Sequence, residues 1–139
     1  MDIARRLIYY SSLTDSDTVL EIGPGLGTLT FYIAERVKSV IAVELDGGVF
    51  RYLQGVKSEL GVKNITLINS DFLKLGLLDI YSISHPNKLI SNFPYGIAIK
   101  SIIKVFDEFK SIKKIVGTVQ KELAERLTAK PCSKNYSYV

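Results

Sequence analysis

Five short runs rich in valine and isoleucine, TVLEIG, SVIAVEL, NITLINSD, KLISNF and KIVGTVQ, alternate along the chain with segments of helical apolar spacing at residues 26–37, 48–60, 97–109 and 121–129. Runs of this length, dense in β-branched residues, read as buried strands. Strand and helix in alternation leave few choices. Consecutive strands run parallel, the crossovers are right-handed, and helices cover one open α/β sheet. Only LKLGLLDIYSISHPN, residues 73–87, reads as a longer irregular connection, and no repeat, linker or low-complexity tract breaks the pattern. A chain of 139 residues suffices for one domain, which at this size buries roughly two-thirds of the surface its unfolded chain exposes.

Several classes of protein are excluded or disfavoured by composition. No apolar run approaches the roughly 18 residues of a bilayer span, and the opening MDIARRLIYYSS is amphipathic without the apolar block of a signal peptide. A soluble, cytoplasmic protein with no membrane partner is expected. The single Cys132 has no partner for an internal disulfide, no Cys pair or His cluster offers metal-ligand spacing, and His85 beside Pro86 reads as a loop residue. The net charge of +4 is unevenly spread: residues 1–95 carry nine Lys/Arg against ten Asp/Glu, and residues 96–139 carry nine against four. A solvated lysine-rich face explains that excess, and so does a polyanionic partner such as RNA.

Ligands of open α/β sheets bind outside the carboxyl ends of the strands. The first four strands here end in EIGPGLG, VELD, NSDF and SNFPY, so all the unusual endings fall on one edge. Gly23, Gly25 and Gly27 let the backbone turn tightly and approach a ligand. Taken alone they suit a dinucleotide, a mononucleotide or close strand-to-helix packing. The neighbouring charges discriminate, because Glu21, Glu44, Asp46 and Asp71 are predicted at or near that edge and no Lys or Arg lies within the glycine turn. A pyrophosphate is poorly received there. Glu44 has the position of a ribose-binding carboxylate, and Asp71 of an acceptor for an adenine amine. A cationic ligand with ribose and adenine but no phosphate, such as S-adenosylmethionine, fits. Each acid also fits as a helix N-cap or loop residue, Asp46 beside Gly47–Gly48 best of all.

The ending KLISNFPYG is open to two readings. Pro94 and Gly96 stop a strand and release the backbone. Alternatively, Asn92 and the adjoining backbone carbonyl accept hydrogen bonds from a substrate amine, Pro94 stiffens the turn, and Tyr95 offers a face on which a base stacks. The second arrangement is a pocket for an amino-bearing base drawn out of its stack.

Taken in order, EIGPGLG, VELD, NSDF and NFPY resemble the ribosomal RNA adenine dimethyltransferase family, to which erythromycin-resistance methyltransferases are related, and the resemblance continues through QKELAERLTAKPCSKNYSYV. It implies a Rossmann-like class I methyltransferase sheet, mostly parallel, with strand order 3-2-1-4-5. Residues 1–139 would form one S-adenosylmethionine-binding domain. By the same resemblance Gly23, Gly25 and Gly27, with Glu21 at the head of the motif, hold the cofactor; Glu44 binds its ribose, Asp71 and Phe72 its adenine; and Asn92, Pro94 and Tyr95 are the catalytic residues at the target adenine, Asn92 also touching the cofactor. The implied reaction is successive transfer of two methyl groups to the exocyclic amine of adenines in small-subunit ribosomal RNA, the partner being that RNA or an immature small subunit. Single-stranded loops of this kind are what proteins usually read in RNA.

The family pattern also sets expectations for what the chain lacks. A segment of Gln-Asn-Phe-Leu type before the first helix, and two later strands with a small helical domain, have no counterpart here, so the domain is expected to be incomplete at both ends, with self-association through an uncovered fifth strand. Gly96-Ile97-Ala98 stand where more polar residues usually follow the tyrosine. Two other functions compete: a noncatalytic RNA-binding or ribosome-assembly homologue, and a methyltransferase of small molecules.

Overall fold

The computed structural model describes residues 2–134 and 136. Five strands, β1 (Thr18–Ile22), β2 (Ser39–Glu44), β3 (Ile65–Asn69), β4 (Lys88–Asn92) and β5 (Lys114–Thr118), form one sheet in the order β3-β2-β1-β4-β5, and every pair is parallel. The expected order is therefore the observed one. The helices are α1 (Ile3–Ser11), α2 (Thr28–Ala34), α3 (Gly47–Glu59), α4 (Leu77–Tyr81), α5 (Ala98–Glu108) and α6 (Lys121–Leu127).

Side-chain alternation along the central strands separates two cores. Leu20, Ile22, Ile41, Val43 and Leu89 pack on one face with Phe72, Ile80, Val105 and Phe109. Val19, Val40, Ala42 and Ile90 pack on the other with Leu7, Leu29 and Ile33. Period-two geometry puts Glu21 on the second face, beneath α1 and α2. All of β1 is buried, whereas β3 and β5 are only partly so. Those two outer strands depart from the expectation of five buried strands because each sits at a sheet edge, and the outer side of β5 carries no partner strand among the described residues.

A second correction concerns residues 73–87. The connection is not irregular throughout: a 3-10 turn, Phe72–Lys74, overlaps its start, and α4 follows with Ile80 fully buried. Five residues make less than two turns, too few to show a helical period. Asp79 holds the entry to α4 by accepting from Gly76 N at 2.7 Å. His85 does lie in a loop, its ring stacked on Tyr81 at 4.1 Å.

At the amino edge, Asp17 locks β1 to β4. Its carboxylate accepts from Lys88 Nζ at 2.7 Å, Asn87 Nδ2 at 2.8 Å and Thr14 N at 2.8 Å, while Asn87 Oδ1 accepts from Thr18 N at 2.9 Å. Near the other end Ser91 Oγ donates to Ile22 O at 2.6 Å, so the strand pair that carries the candidate site is pinned at both ends. Among the described residues no helix is long and apolar enough to cross a membrane.

Candidate active site

Parallel register brings the strand endings side by side. Glu21 pairs with Ala42, Glu44 with Asn69 and Asn92 with Thr118. From β1 the chain enters the glycine loop, where Gly23 N donates to Val43 O at 2.9 Å and Gly23, Gly25 and Gly27 all have positive φ. Gly23 is the position with least freedom. Its φ is +69°, and a Cβ placed there would lie 2.5 Å from Pro94 Cγ. The turn that follows β4 therefore rests directly on the glycine loop.

Glu44, 8 % exposed, accepts from Gly25 N at 3.2 Å and Asp46 N at 2.8 Å, which ties the end of β2 to the same loop. Asp46 is the N-cap of α3, accepting from Gly48 N and Val49 N at 2.8 Å. Asp71 caps the 3-10 turn by accepting from Leu73 N at 3.0 Å. The ring of Phe72 does not face this edge: it is 3 % exposed, 6.0 Å from the Phe109 ring, with Lys104 Nζ 5.9 Å above it. Only its backbone is left to serve a ligand at the strand ends.

Glu21 is the electrostatic centre of the loop. It is 1 % exposed, and its Oε2 has no hydrogen-bond partner among the described residues; neither has the nearby buried Thr30 Oγ1. Burial raises the Glu21 carboxyl to about 8, against a lowering influence of the nearby Thr30 hydroxyl, which falls outside hydrogen-bond geometry, and with a smaller raising effect of the Glu44 charge. Ionising a carboxyl with an unpartnered oxygen in this setting is costly, and a cationic ligand would stabilise the charge.

Two cavities of about 710 Å³ each meet at this edge. The first lies between α1 and the glycine loop, with Glu21, Gly23, Pro24 and Gly25 in its wall and no Lys or Arg. The second holds Asn92, Pro94 and Tyr95 together with Thr118, Gln120 and Arg126. Ile3, Gly23 and Asn92 line both. Glu44 and Asp71 lie beyond the walls of the first cavity, although Glu44 is hydrogen-bonded to Gly25 of the same loop.

Around Asn92 the structure adds residues that sequence reasoning missed. Thr118 Oγ1 donates a hydrogen bond to Asn92 Oδ1. Gly117 lies under Phe93, whose ring carbons would sit 2.5 and 2.8 Å from a Cβ there. The turn Asn92–Phe93–Pro94 is thus seated on two glycines, Gly117 on one side and Gly23 on the other. The ending of KIVGTVQ was available as a signal, since a polar residue closing a fifth parallel strand falls on the same edge, but its register against Asn92 was not.

The chain matches the family described as ribosomal RNA adenine dimethylase over residues 2–139. It belongs to that family. It is 38% identical to the ribosomal RNA small subunit methyltransferase A of Mycolicibacterium vanbaalenii over 135 residues, 95% of this chain and 43% of the relative. Among solved structures it is similar to a dimethyladenosine transferase from Plasmodium falciparum, with a TM-score of 0.85 and 30% identity, covering 97% of this chain and 47% of that one. The 23S rRNA methyltransferase ErmE superposes with a TM-score of 0.70 and 28% identity, covering 91% and 49% respectively. The chain spans less than half the length of each of these three proteins. The fold is the class I methyltransferase sheet of the adenine dimethylase family.

Proposed function

We propose that residues 1–139 form the S-adenosylmethionine-binding domain of an enzyme that dimethylates the exocyclic amine of adenines in small-subunit ribosomal RNA. One observation carries the reading: Gly23 and Asn92 stand in the walls of both cavities, so a group held on the glycine loop and a base held at the Asn92 turn would meet between them. The residues present suit the cofactor. The buried, unpartnered Glu21 Oε2 lines a cavity without basic side chains, which favours an ammonium or sulfonium ligand and disfavours a pyrophosphate.

S-adenosylmethionine, when bound, supplies an electrophilic methyl group. Glu21 would take the cofactor's ammonium. Glu44 spends one lone pair of each oxygen on a backbone amide, which leaves acceptor capacity for ribose hydroxyls. Asp71, at the end of β3, would accept from the cofactor's adenine amine. On the target side, the Asn92 carboxamide oxygen keeps one lone pair beside the Thr118 hydroxyl and would align the amine of the incoming base. Tyr95, 85 % exposed, offers the stacking face, and Pro94 holds it in place against Gly23. Once methylated, the amine would carry a positive charge and would then lose its proton to water. Positioning and electrostatics therefore supply most of the barrier reduction, without a strong general base.

Calorimetric titration with S-adenosylmethionine and NAD, followed by methyl transfer to immature small ribosomal subunits, tests this function. The expected result is tighter binding of S-adenosylmethionine and dimethyladenosine in the RNA. NAD binding more tightly would overturn the cofactor assignment. Cofactor binding with no transfer would instead favour the noncatalytic ribosome-assembly homologue.

A further inference from the structure

One helix carries recognition chemistry that neither the core nor the two cavities use. On α1 the residues Leu7 and Ser11 are buried and Ala4 and Ile8 partly so, which fixes the face turned to β4, β5 and α2. At 100° per residue the opposite face presents, in angular order, Arg5, Tyr9, Arg6 and Tyr10. All four are exposed, Tyr9 by 72 % and Tyr10 by 59 %, and the two rings meet edge to face at 5.3 Å. Cations and aromatic rings alternate across this surface. The helix contains no acid; Asp2, its N-cap, lies 3.6 Å from Arg5 Nε, and Arg6 has no side-chain partner among the described residues. Cationic charge continues past the other end, where Lys114 Nζ lies 3.3 Å from Ser12 Oγ.

Position decides what such a surface is for. Ile3, in the first turn, lines both cavities, and Tyr10 follows it by seven residues, roughly 10 Å along the axis. Arginines grip phosphates and tyrosine faces stack on bases, a pairing that suits a flexible, unpaired polyanion. We propose that the solvent face of α1 is an RNA-binding surface that holds the strand flanking the target base, with Arg5 and Arg6 on phosphates and Tyr9 and Tyr10 on unstacked bases. The assignment to a flanking strand rests on the proposed function; RNA binding by the face does not.

The test is binding of protein-free small-subunit ribosomal RNA across a salt series by the full chain, by R5A/R6A, by Y9A/Y10A and by R36A, an exposed arginine elsewhere, with melting temperature and S-adenosylmethionine affinity measured for each. R5A/R6A should lower the slope of log affinity against log salt by roughly 0.7 for each arginine, and R5K/R6K should restore it. Y9A/Y10A should weaken binding by about fivefold or more for each base that stacks. R36A should change neither. Unchanged slope and affinity in both double variants would overturn the proposal, as would losses seen only with assembled subunits, which would assign the face to a protein. Loss of RNA binding in the double variants, in a protein that transfers no methyl group to any RNA, would leave this surface standing and sink the proposed function instead.

Discussion

Glu21 is held neutral by burial over much of the working pH range, and that sets the sign of its effects. Its carboxyl titrates near 8 in the folded chain against an ordinary value of 4.5. Between those values the native state binds the extra proton, so this group's contribution to stability is complete below about 4.5 and is lost as pH rises toward 8. Glu21→Gln should flatten that decline in melting temperature, and should also abolish a rise in S-adenosylmethionine affinity over the same interval. A wild-type affinity independent of pH there would remove Glu21 from the ligand. Asn92 gives the second prediction at this scale. Asn92→Ala should depress methyl transfer far more than cofactor affinity, because on the proposed reading its amide acts on the target amine in the transition state. Thr118→Val, which leaves Asn92 Oδ1 without the hydroxyl that orients it, should lower kcat in the same direction but less, with cofactor affinity unchanged. Equal losses of rate and cofactor affinity would assign both side chains to structural support.

At the scale of elements, the ends of β1 and β4 are fixed by contacts of opposite chemistry. Asp17 and Lys88 form a pair with side-chain exposures of 6% and 14%. Burial pushes the Asp17 carboxyl up, but hydrogen bonds from Lys88, Asn87 and Thr14 and the lysine charge outweigh it, so the group sits below its ordinary 3.8. Its stabilising effect is present above 3.8 and is lost as pH falls through the lowered value. Asp17→Asn should cost about 1–3 kcal/mol at neutral pH by removing the carboxylate from Lys88, whose Nζ keeps Ser12 O, and should make the acid limb of the stability curve shallower, as read by denaturant midpoints. Gly117→Ala, at the far end of β5, should cost about 1–3 kcal/mol by pushing its Cβ into Phe93, and Phe93→Leu in the same chain should recover part of it. Much of this was readable before any geometry. Val/Ile runs in alternation with helical segments specify the sheet, and the odd residues at four strand ends mark the edge where the candidate site lies, since both are local patterns. Thr118, Gly117 and the buried turn of Phe72 were not readable, because each acquires meaning only from a neighbour in another strand or helix. The ring of Phe72 turns inward because the 3-10 turn and α5 enclose it, a tertiary fact that the dipeptide Asp71–Phe72 does not encode.

The molecule as a whole is one sheet with a working edge, at which two openings share Gly23 and Asn92. The Pro94 ring packs where a Cβ at Gly23 would stand, so the two loops are in steric contact. Linkage then makes the relation mutual: whatever factor a bound adenosine applies to the affinity for S-adenosylmethionine, the cofactor must apply to adenosine. We expect that factor to exceed one, and two titrations, each with the other ligand saturating, will show it. A factor of one would mean that the shared wall transmits nothing. For the proposed reaction, performed twice on a single base, such reciprocity would work as a ratchet. Under the proposed function, departure of a spent cofactor would loosen the grip on a half-finished adenine, so completion of the second round would become a race between reloading and escape, decided at the contact between one proline and one glycine.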